Sequence, residues 1–230
     1  MKQLIGILLL SLGLMPTAPA QTRNATVVPI EQAPYHVPVF RNDHVTILKV
    51  FIPPNRTSGY HRHSLDTIGV LMADTERTGQ VLGAEEVVTP QRPRGSVNFS
   101  FYSRQENVHT LTVTGRTPFH NVVVELMQAN AGGFTPSPRG SGYEQVLDNE
   151  RVRIWRLVLE PGQTAPAITQ SAPGIRVVVD GGELIESAPG QPERGMAPQS
   201  GEFYWQDAGK TRALRNVGTT RIELVEIELK

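Results

Sequence analysis

Three histidines have a spacing that suits a metal site. His61 and His63 are separated by one residue, and side chains two positions apart on a β-strand project from the same face, so both imidazoles can enter one cavity. Asp66 follows three residues later, and His109 begins a second apolar segment. Three neutral imidazoles with an optional carboxylate suit a divalent ion such as Mn, Fe, Co, Ni, Cu or Zn. Such a set leaves coordination positions open, which is what metal-ion catalysis requires.

The segments around these histidines have the pattern of β-strands. Apolar residues recur with period two at 45–52, 152–159 and 222–229, and clusters of Gly, Pro, Asn and Asp separate such segments at short intervals. No amphipathic segment of helical period extends beyond about two turns. We therefore predict an all-β protein that closes as a sandwich or a barrel, because closure hides the edges of a sheet.

The chain repeats itself once. Residues 39–47 match residues 146–154 at an offset of 107 positions, and the strands that end the two copies match at an offset of 103. Two units of about 100 residues, each large enough to be a domain, are thus predicted at 35–128 and 143–230. The segment 129–142 between them is rich in Gly, Ser and Pro and is predicted to be a linker.

Composition excludes several classes of protein and indicates export. The 230 residues contain 22 Lys and Arg against 22 Asp and Glu, without a long basic run, which argues against nucleic acid as a partner. The absence of cysteine excludes disulfides, thiolate metal ligands and a cysteine nucleophile. Lys2, the apolar run at 4–15 and Ala18-Pro19-Ala20 are typical of a signal peptide at residues 1–20. We expect a periplasmic or secreted protein, monomeric or homodimeric, that is free of the membrane after cleavage.

The histidine spacing within this repeat resembles the cupin family. The first cupin motif runs from a glycine through five residues to His-x-His and then to a glutamate, and the second motif contains a further histidine. Here Asn55 stands at the glycine position, ahead of His61 and His63. Asp66 stands near the glutamate, and His109 fits the second motif. The resemblance extends over both copies and implies two tandem antiparallel barrels of jelly-roll type.

The second copy lacks the histidines. Their positions are held there by Ile168, Gln170 and Arg212. It keeps instead the backbone residues of the cupin pattern that the first copy has lost, namely Gly162, Gly209 and Asn216. The resemblance thus implies one divalent transition metal in the N-terminal barrel and none in the C-terminal one. It also implies a metal-dependent enzyme for a small organic substrate, such as a dioxygenase, a decarboxylase or an isomerase, with dioxygenase chemistry favoured. The alternative is a protein that binds a small acid or sugar without turnover.

Three further residues are candidates for the site. Glu106 is the candidate general acid or base, and Asp66 takes that role if it does not bind the metal. Phe101 forms either a wall of the metal pocket, with Tyr102 facing away, or part of the barrel core. Arg212 either binds an anionic ligand in the mouth of the C-terminal barrel or folds outward or pairs with a carboxylate.

The remaining histidines are interpreted as structural. His36 lies in a proline-flanked segment and has no functional role in this interpretation. His120 is expected on an outward face. His44 and Arg151 occupy equivalent positions in the two copies. Because both side chains are basic, we predict that this position is a solvated strand edge.

Overall fold

The structure, a computed structural model, describes residues 25–128 and 132–230. The predicted signal peptide and residues 129–131 of the predicted linker lie outside the described residues. The first copy contains a short 3-10 helix, Ile30–Gln32, and the strands β1 (Val28–Pro29), β2 (His36–Arg41), β3 (Val45–Ile52), β4 (His61–His63), β5 (Thr67–Ala73), β6 (Arg77–Val81), β7 (Val87–Val88), β8 (Val97–Ser100), β9 (Asn107–Val113) and β10 (Phe119–Leu126). The second copy contains β11 (Tyr143–Asp148), β12 (Val152–Leu159), β13 (Ile168–Thr169), β14 (Gly174–Asp180), β15 (Leu184–Ser187), β16 (Arg194–Met196), β17 (Phe203–Gln206), β18 (Thr211–Asn216) and β19 (Ile222–Leu229).

Each copy folds into two sheets that face each other. In the N-terminal barrel, sheet A has the strand order β1-β4-β9-β6-β7 and sheet B the order β2-β3-β10-β5-β8. In the C-terminal barrel, sheet C has the order β11-β12-β19-β14-β17 and sheet D the order β13-β18-β15-β16. The predicted fold class, all-β with two tandem jelly-roll barrels, is confirmed. No helix among the described residues is long and apolar enough to cross a membrane.

The strand boundaries follow the sequence repeat. Strands β3 and β12 begin at Val45 and Val152, which are separated by the same 107 positions as the matching sequences. Asn55 adopts a φ of +58°, and Gly162, at the equivalent position, a φ of +79°. This left-handed conformation is open to glycine at little cost, and asparagine tolerates it better than most residues. Asn55 therefore keeps the turn that leads to the first histidine.

The two barrels share one apolar core. Sheets B and C pack face to face, so that one cluster contains residues from both barrels, among them Ile47, Val70, Val124, Ile154, Val177 and Ile227. The central strands β10 and β19 are therefore covered on both faces, by the barrel interior on one and by the other barrel on the other. All eight residues of β19 are buried. Burial of apolar surface at this interface stabilises a chain that has no disulfides.

Candidate metal centre in the N-terminal barrel

Sheet A brings the three predicted histidines together. Strand β4 pairs antiparallel with β9, and His61 lies directly opposite His109. His63, two residues after His61, projects from the same face. One ring nitrogen from each of the three lies within 4.8 Å of the others, and Nε2 of His61 lies 3.0 Å from Nε2 of His109. Two nitrogens that each bind one ion at about 2.0–2.1 Å have a similar separation. The geometry thus fits a shared metal ion.

The ring nitrogens are in a state that can bind a metal. Nδ1 of His61 donates a hydrogen bond to the Gly59 carbonyl at 3.0 Å, which places the lone pair of this ring on Nε2, the nitrogen that faces His109. Nδ1 of His63 is buried without a hydrogen-bond partner among the described residues. Burial, together with the neighbouring histidines, lowers the pKa of His63 to about 2 and that of His109 to about 3. Burial lowers the pKa of His61 as well, so all three imidazoles are neutral at pH 7.

A fourth imidazole, that of His36, also faces the site. Its ring centroid lies 4.6 Å from that of His61, and its Nδ1 donates to the Pro34 carbonyl at 2.9 Å. Burial, followed by the charge of His61, lowers the pKa of His36 to about 4. The sequence interpretation gave His36 no role, whereas the structure places its ring against that of His61. Strand alternation explains why His36 faces inward. Val37 and Val39 of β2 are 57% and 41% exposed, so they lie on the outer face and His36 lies on the inner one.

The four imidazoles open on a cavity of about 120 Å³ between sheets A and B. Much of its wall is apolar and includes Val50, Leu111 and Phe119. Polar groups come from Thr67, Asn98, Tyr102 and Asn121, and the described residues that line the cavity include no lysine or arginine. The cavity is therefore an uncharged chamber with a candidate metal site in one wall.

Solved structures of other proteins share this architecture. A cupin 2 conserved barrel domain protein from Leptotrichia buccalis superimposes with a TM-score of 0.54 and 8% identity over 85% of this chain and 88% of its own. This 230-residue chain therefore has the cupin fold. AerE from Microcystis aeruginosa gives a TM-score of 0.59 and 14% identity over 86% of this chain and 98% of its own. A salicylate 1,2-dioxygenase from Pseudaminobacter salicylatoxidans gives 0.55 and 10% over 81% and 71%. Comparison of the sequence with protein families and with curated proteins finds no match.

Asp66, the predicted optional ligand, is directed away from the candidate metal site. Its carboxylate accepts hydrogen bonds from the backbone N–H and the hydroxyl of Ser103, at 3.0 and 2.6 Å. It also forms an ion pair with Arg151 of the C-terminal barrel. Because these donors hold both oxygens, Asp66 serves the contact between the barrels and is not one of the residues around the candidate ion. The prediction that Arg151 lies on a solvated edge is wrong as well, since it is only 5% exposed.

Glu106 lies outside the barrel. Its side chain is 56% exposed and faces Arg62 at 3.8 Å. Arg62 stands between His61 and His63 on β4, so it projects from the opposite face of that strand. Glu106, which contacts Arg62, therefore does not reach the cavity, and its predicted role as general acid or base is not supported by the structure.

Tyr102, and not Phe101, forms part of the cavity wall, which is the reverse of the arrangement expected if Phe101 lined the pocket. Tyr102 lines the cavity, with its ring centroid 4.9 Å from that of His63. Phe101 packs against Phe99 and lies beneath the guanidinium of Arg104. The reason is that β8 ends at Ser100, after which the chain turns and the alternation of the strand no longer applies.

The C-terminal cupin barrel is filled where the N-terminal barrel is open. Arg176 pairs with Glu226 across β14 and β19, at the positions that Gly69 and Val123 hold in the N-terminal barrel. Nε of Arg176 donates to Glu226 at 2.7 Å, and Arg139, from the segment 132–142, forms a second ion pair with the same carboxylate. This filling supports the prediction that the C-terminal barrel holds no metal, which stays a prediction.

Arg212 contacts a neutral side chain. It lies on β18 opposite Ile168, and its guanidinium donates to the side-chain oxygen of Gln206. It forms no ion pair with a carboxylate of the described residues, so its charge is not balanced there. Its anion-binding role stays a prediction.

A buried carboxyl that sequence reasoning missed lies beside the metal cavity. Glu125 sits on β10 between Thr46 and Thr67 of the neighbouring strands, two residues beyond Val123 of the cavity wall. Burial, followed by the nearby charge of Glu31, raises the pKa of Glu125 to about 7. The sequence signal is the acidic residue at the fourth position of an otherwise apolar run, residues 122–126.

Replacement of Glu125 by glutamine is expected to stabilise the metal-free protein at alkaline pH. A folded-state pKa above the unfolded value of 4.5 favours folding below pH 4.5, and this contribution is lost as the pH rises through about 7. We expect the variant to match the wild type near about pH 4 and to exceed it by up to about 3 kcal/mol near about pH 8 in urea unfolding. Glu106→Gln, which removes an exposed carboxylate by the same substitution, is the matched control. Parallel stability curves for wild type and Glu125→Gln would contradict the prediction.

Proposed function

We propose that the protein is an exported single-metal enzyme of dioxygenase type that acts on a small organic substrate in its N-terminal barrel. The observation that carries the proposal is the convergence of His61, His63 and His109 on one cavity. Three imidazole ligands leave coordination positions open for oxygen and substrate. The fold is one that a salicylate dioxygenase uses, which supports the proposal at the level of fold. Export rests on the signal-peptide pattern at residues 1–20.

The residues of the chain prepare the site for such chemistry. A bound redox-active ion would act as a Lewis acid and exchange electrons with dioxygen. Hydrogen bonding of His61 to the Gly59 carbonyl fixes its tautomer and its orientation. His36 keeps its proton on Nδ1, held by the Pro34 carbonyl, so the Nε2 of this cavity-lining residue can accept a hydrogen bond from a substrate. The apolar wall around Val50 and Phe119 limits access of water.

Oxygen consumption by metal-loaded protein tests the proposal. Metal-free protein is loaded separately with Fe(II), Mn(II), Cu(II), Ni(II) and Zn(II), and oxygen uptake is measured with catechol, salicylate and acetylacetone. We expect at least one redox-active metal to support uptake about a hundredfold above that of the zinc-loaded protein, with a matching oxidised product. The control is the same protein with His61 and His63 replaced by alanine. Tight metal binding with no uptake and no product for any substrate would favour the non-catalytic binding protein instead.

A further inference from the structure

Two side-chain amides face the histidines across the cavity. His61, His63 and His109 belong to sheet A, whereas Asn98 on β8 and Asn121 on β10 belong to the opposite sheet B. All five residues line the same 120 Å³ cavity. A ligand bound at the candidate metal therefore lies between the metal and the amides.

Gly69 makes room for these amides. A Cβ atom at Gly69 would lie 2.6 Å from Oδ1 of Asn98 and 2.9 Å from Nδ2 of Asn121, so both side chains reach over its backbone. Oδ1 of Asn121 is buried and has no hydrogen-bond partner among the described residues. The filled C-terminal barrel has Arg176 and Leu224 at the positions of Gly69 and Asn121. The amides thus belong to the barrel that has a cavity, and one of them offers an unused acceptor.

The charge of the cavity limits what the amides can bind. No lysine or arginine is present among the described lining residues, so a bound metal would be the only positive centre. A second negative charge on the ligand, remote from the metal, would lie unpaired in a largely apolar chamber, which is costly. An uncharged hydroxyl or N–H group has no such cost and can donate to Asn121.

We infer that Asn98 and Asn121 form the half of the ligand site opposite the metal. They select a compact ligand that binds the metal with one end and presents an uncharged hydrogen-bonding group to the amides with the other. The size of the cavity agrees with this class, since a cavity of about 150 Å³ encloses a molecule such as benzene. The inference rests on the proposed metal site and names the substrate class of that site.

Three small ligands that differ only at one end test the inference. Acetohydroxamate, glycolohydroxamate and oxalohydroxamate share one metal-binding group and carry a methyl, a hydroxymethyl and a carboxylate at the other end. Their affinities for Co(II)-loaded protein are measured from the cobalt absorption bands. We expect glycolohydroxamate to bind about tenfold more tightly than acetohydroxamate, and oxalohydroxamate to bind most weakly. In Asn121→Leu, which copies the residue of the C-terminal barrel, the affinity for acetohydroxamate should persist and the preference for the hydroxyl should disappear.

The outcomes separate this inference from the proposed function. Gly69→Ala, which displaces the amides with a single methyl group, should abolish the same preference and serves if Asn121→Leu does not fold. Equal affinities in the wild type, or a preference that survives in the folded variants, would overturn the inference while leaving the metal site intact. Failure to bind Co(II) would overturn the proposed function. The inference would fall with it, because the ligand class is defined by its bond to that metal.

Discussion

Replacement of His61 and His63 by alanine should abolish metal binding. Wild-type protein purified from its native cells is expected to contain close to one divalent transition metal ion per chain. The double variant should contain less than about a tenth of an ion, because a single imidazole does not hold such an ion against water. Elemental mass spectrometry measures both values. The identity of the metal in the wild type then directs the choice of substrates.

A second pair of histidines provides the matched control. His44 stacks on Trp205 with ring centroids 5.8 Å apart, and His120 packs against Phe51 at 5.7 Å, both away from the cavity. Protein with alanine at both of these positions has lost the same number of imidazoles and should retain its metal. Added metal at a hundredfold excess over Kd should also stabilise the control by about 2.7 kcal/mol and leave the His61 and His63 variant unchanged. Equal metal content in the two variants would disprove the site.

Much of the fold could be predicted from the sequence because its signals are local. Period-two alternation marks strands such as β3, β12 and β19, and the repeat aligns the two barrels. The triad could be predicted for a related reason. Two histidines with one residue between them on a strand share a face, and His109 comes from the strand that pairs with them. Local geometry, extended by the resemblance to cupins, was sufficient for these features.

Two of the errors concern positions where the second barrel changes the environment. Arg151 has the sequence context of a solvated edge, but sheet C packs on sheet B and covers it. Asp66 has the sequence position of a metal ligand, but its carboxylate binds Arg151 of the other barrel and the two donors of Ser103 instead. Sequence periodicity describes one strand at a time, so it does not show which outer face a second domain will bury. Glu125 interrupts an apolar run but was missed, because alternation along one strand does not show which of its two faces lies inside the barrel.

The ion pair between Asp66 and Arg151 is the second position where we expect a large effect. Both side chains are almost completely buried, at 1% and 6% exposed, and the guanidinium also donates to the Gln128 carbonyl. Removal of one partner of a buried pair leaves the other charge uncompensated in a medium of low dielectric constant. Arg151→Met should therefore lower the free energy of unfolding by about 3–5 kcal/mol in urea titrations.

Two comparisons establish whether buried charge causes this loss. Combining Arg151→Met with Asp66→Asn removes both charges, and most of the lost stability should return because no ion is left without a partner. Arg104→Met breaks another ion pair between the barrels, the one with Glu150. The side chains of Arg104 and Glu150 are 59% and 57% exposed. Solvent screens such a pair, so the loss there should stay below about 1 kcal/mol. If Arg104→Met and Arg151→Met cost the same, or if the double variant is no more stable than Arg151→Met alone, the contribution of Arg151 lies in its packing rather than in its charge. Asp66 would then need another reason to be turned away from the histidines.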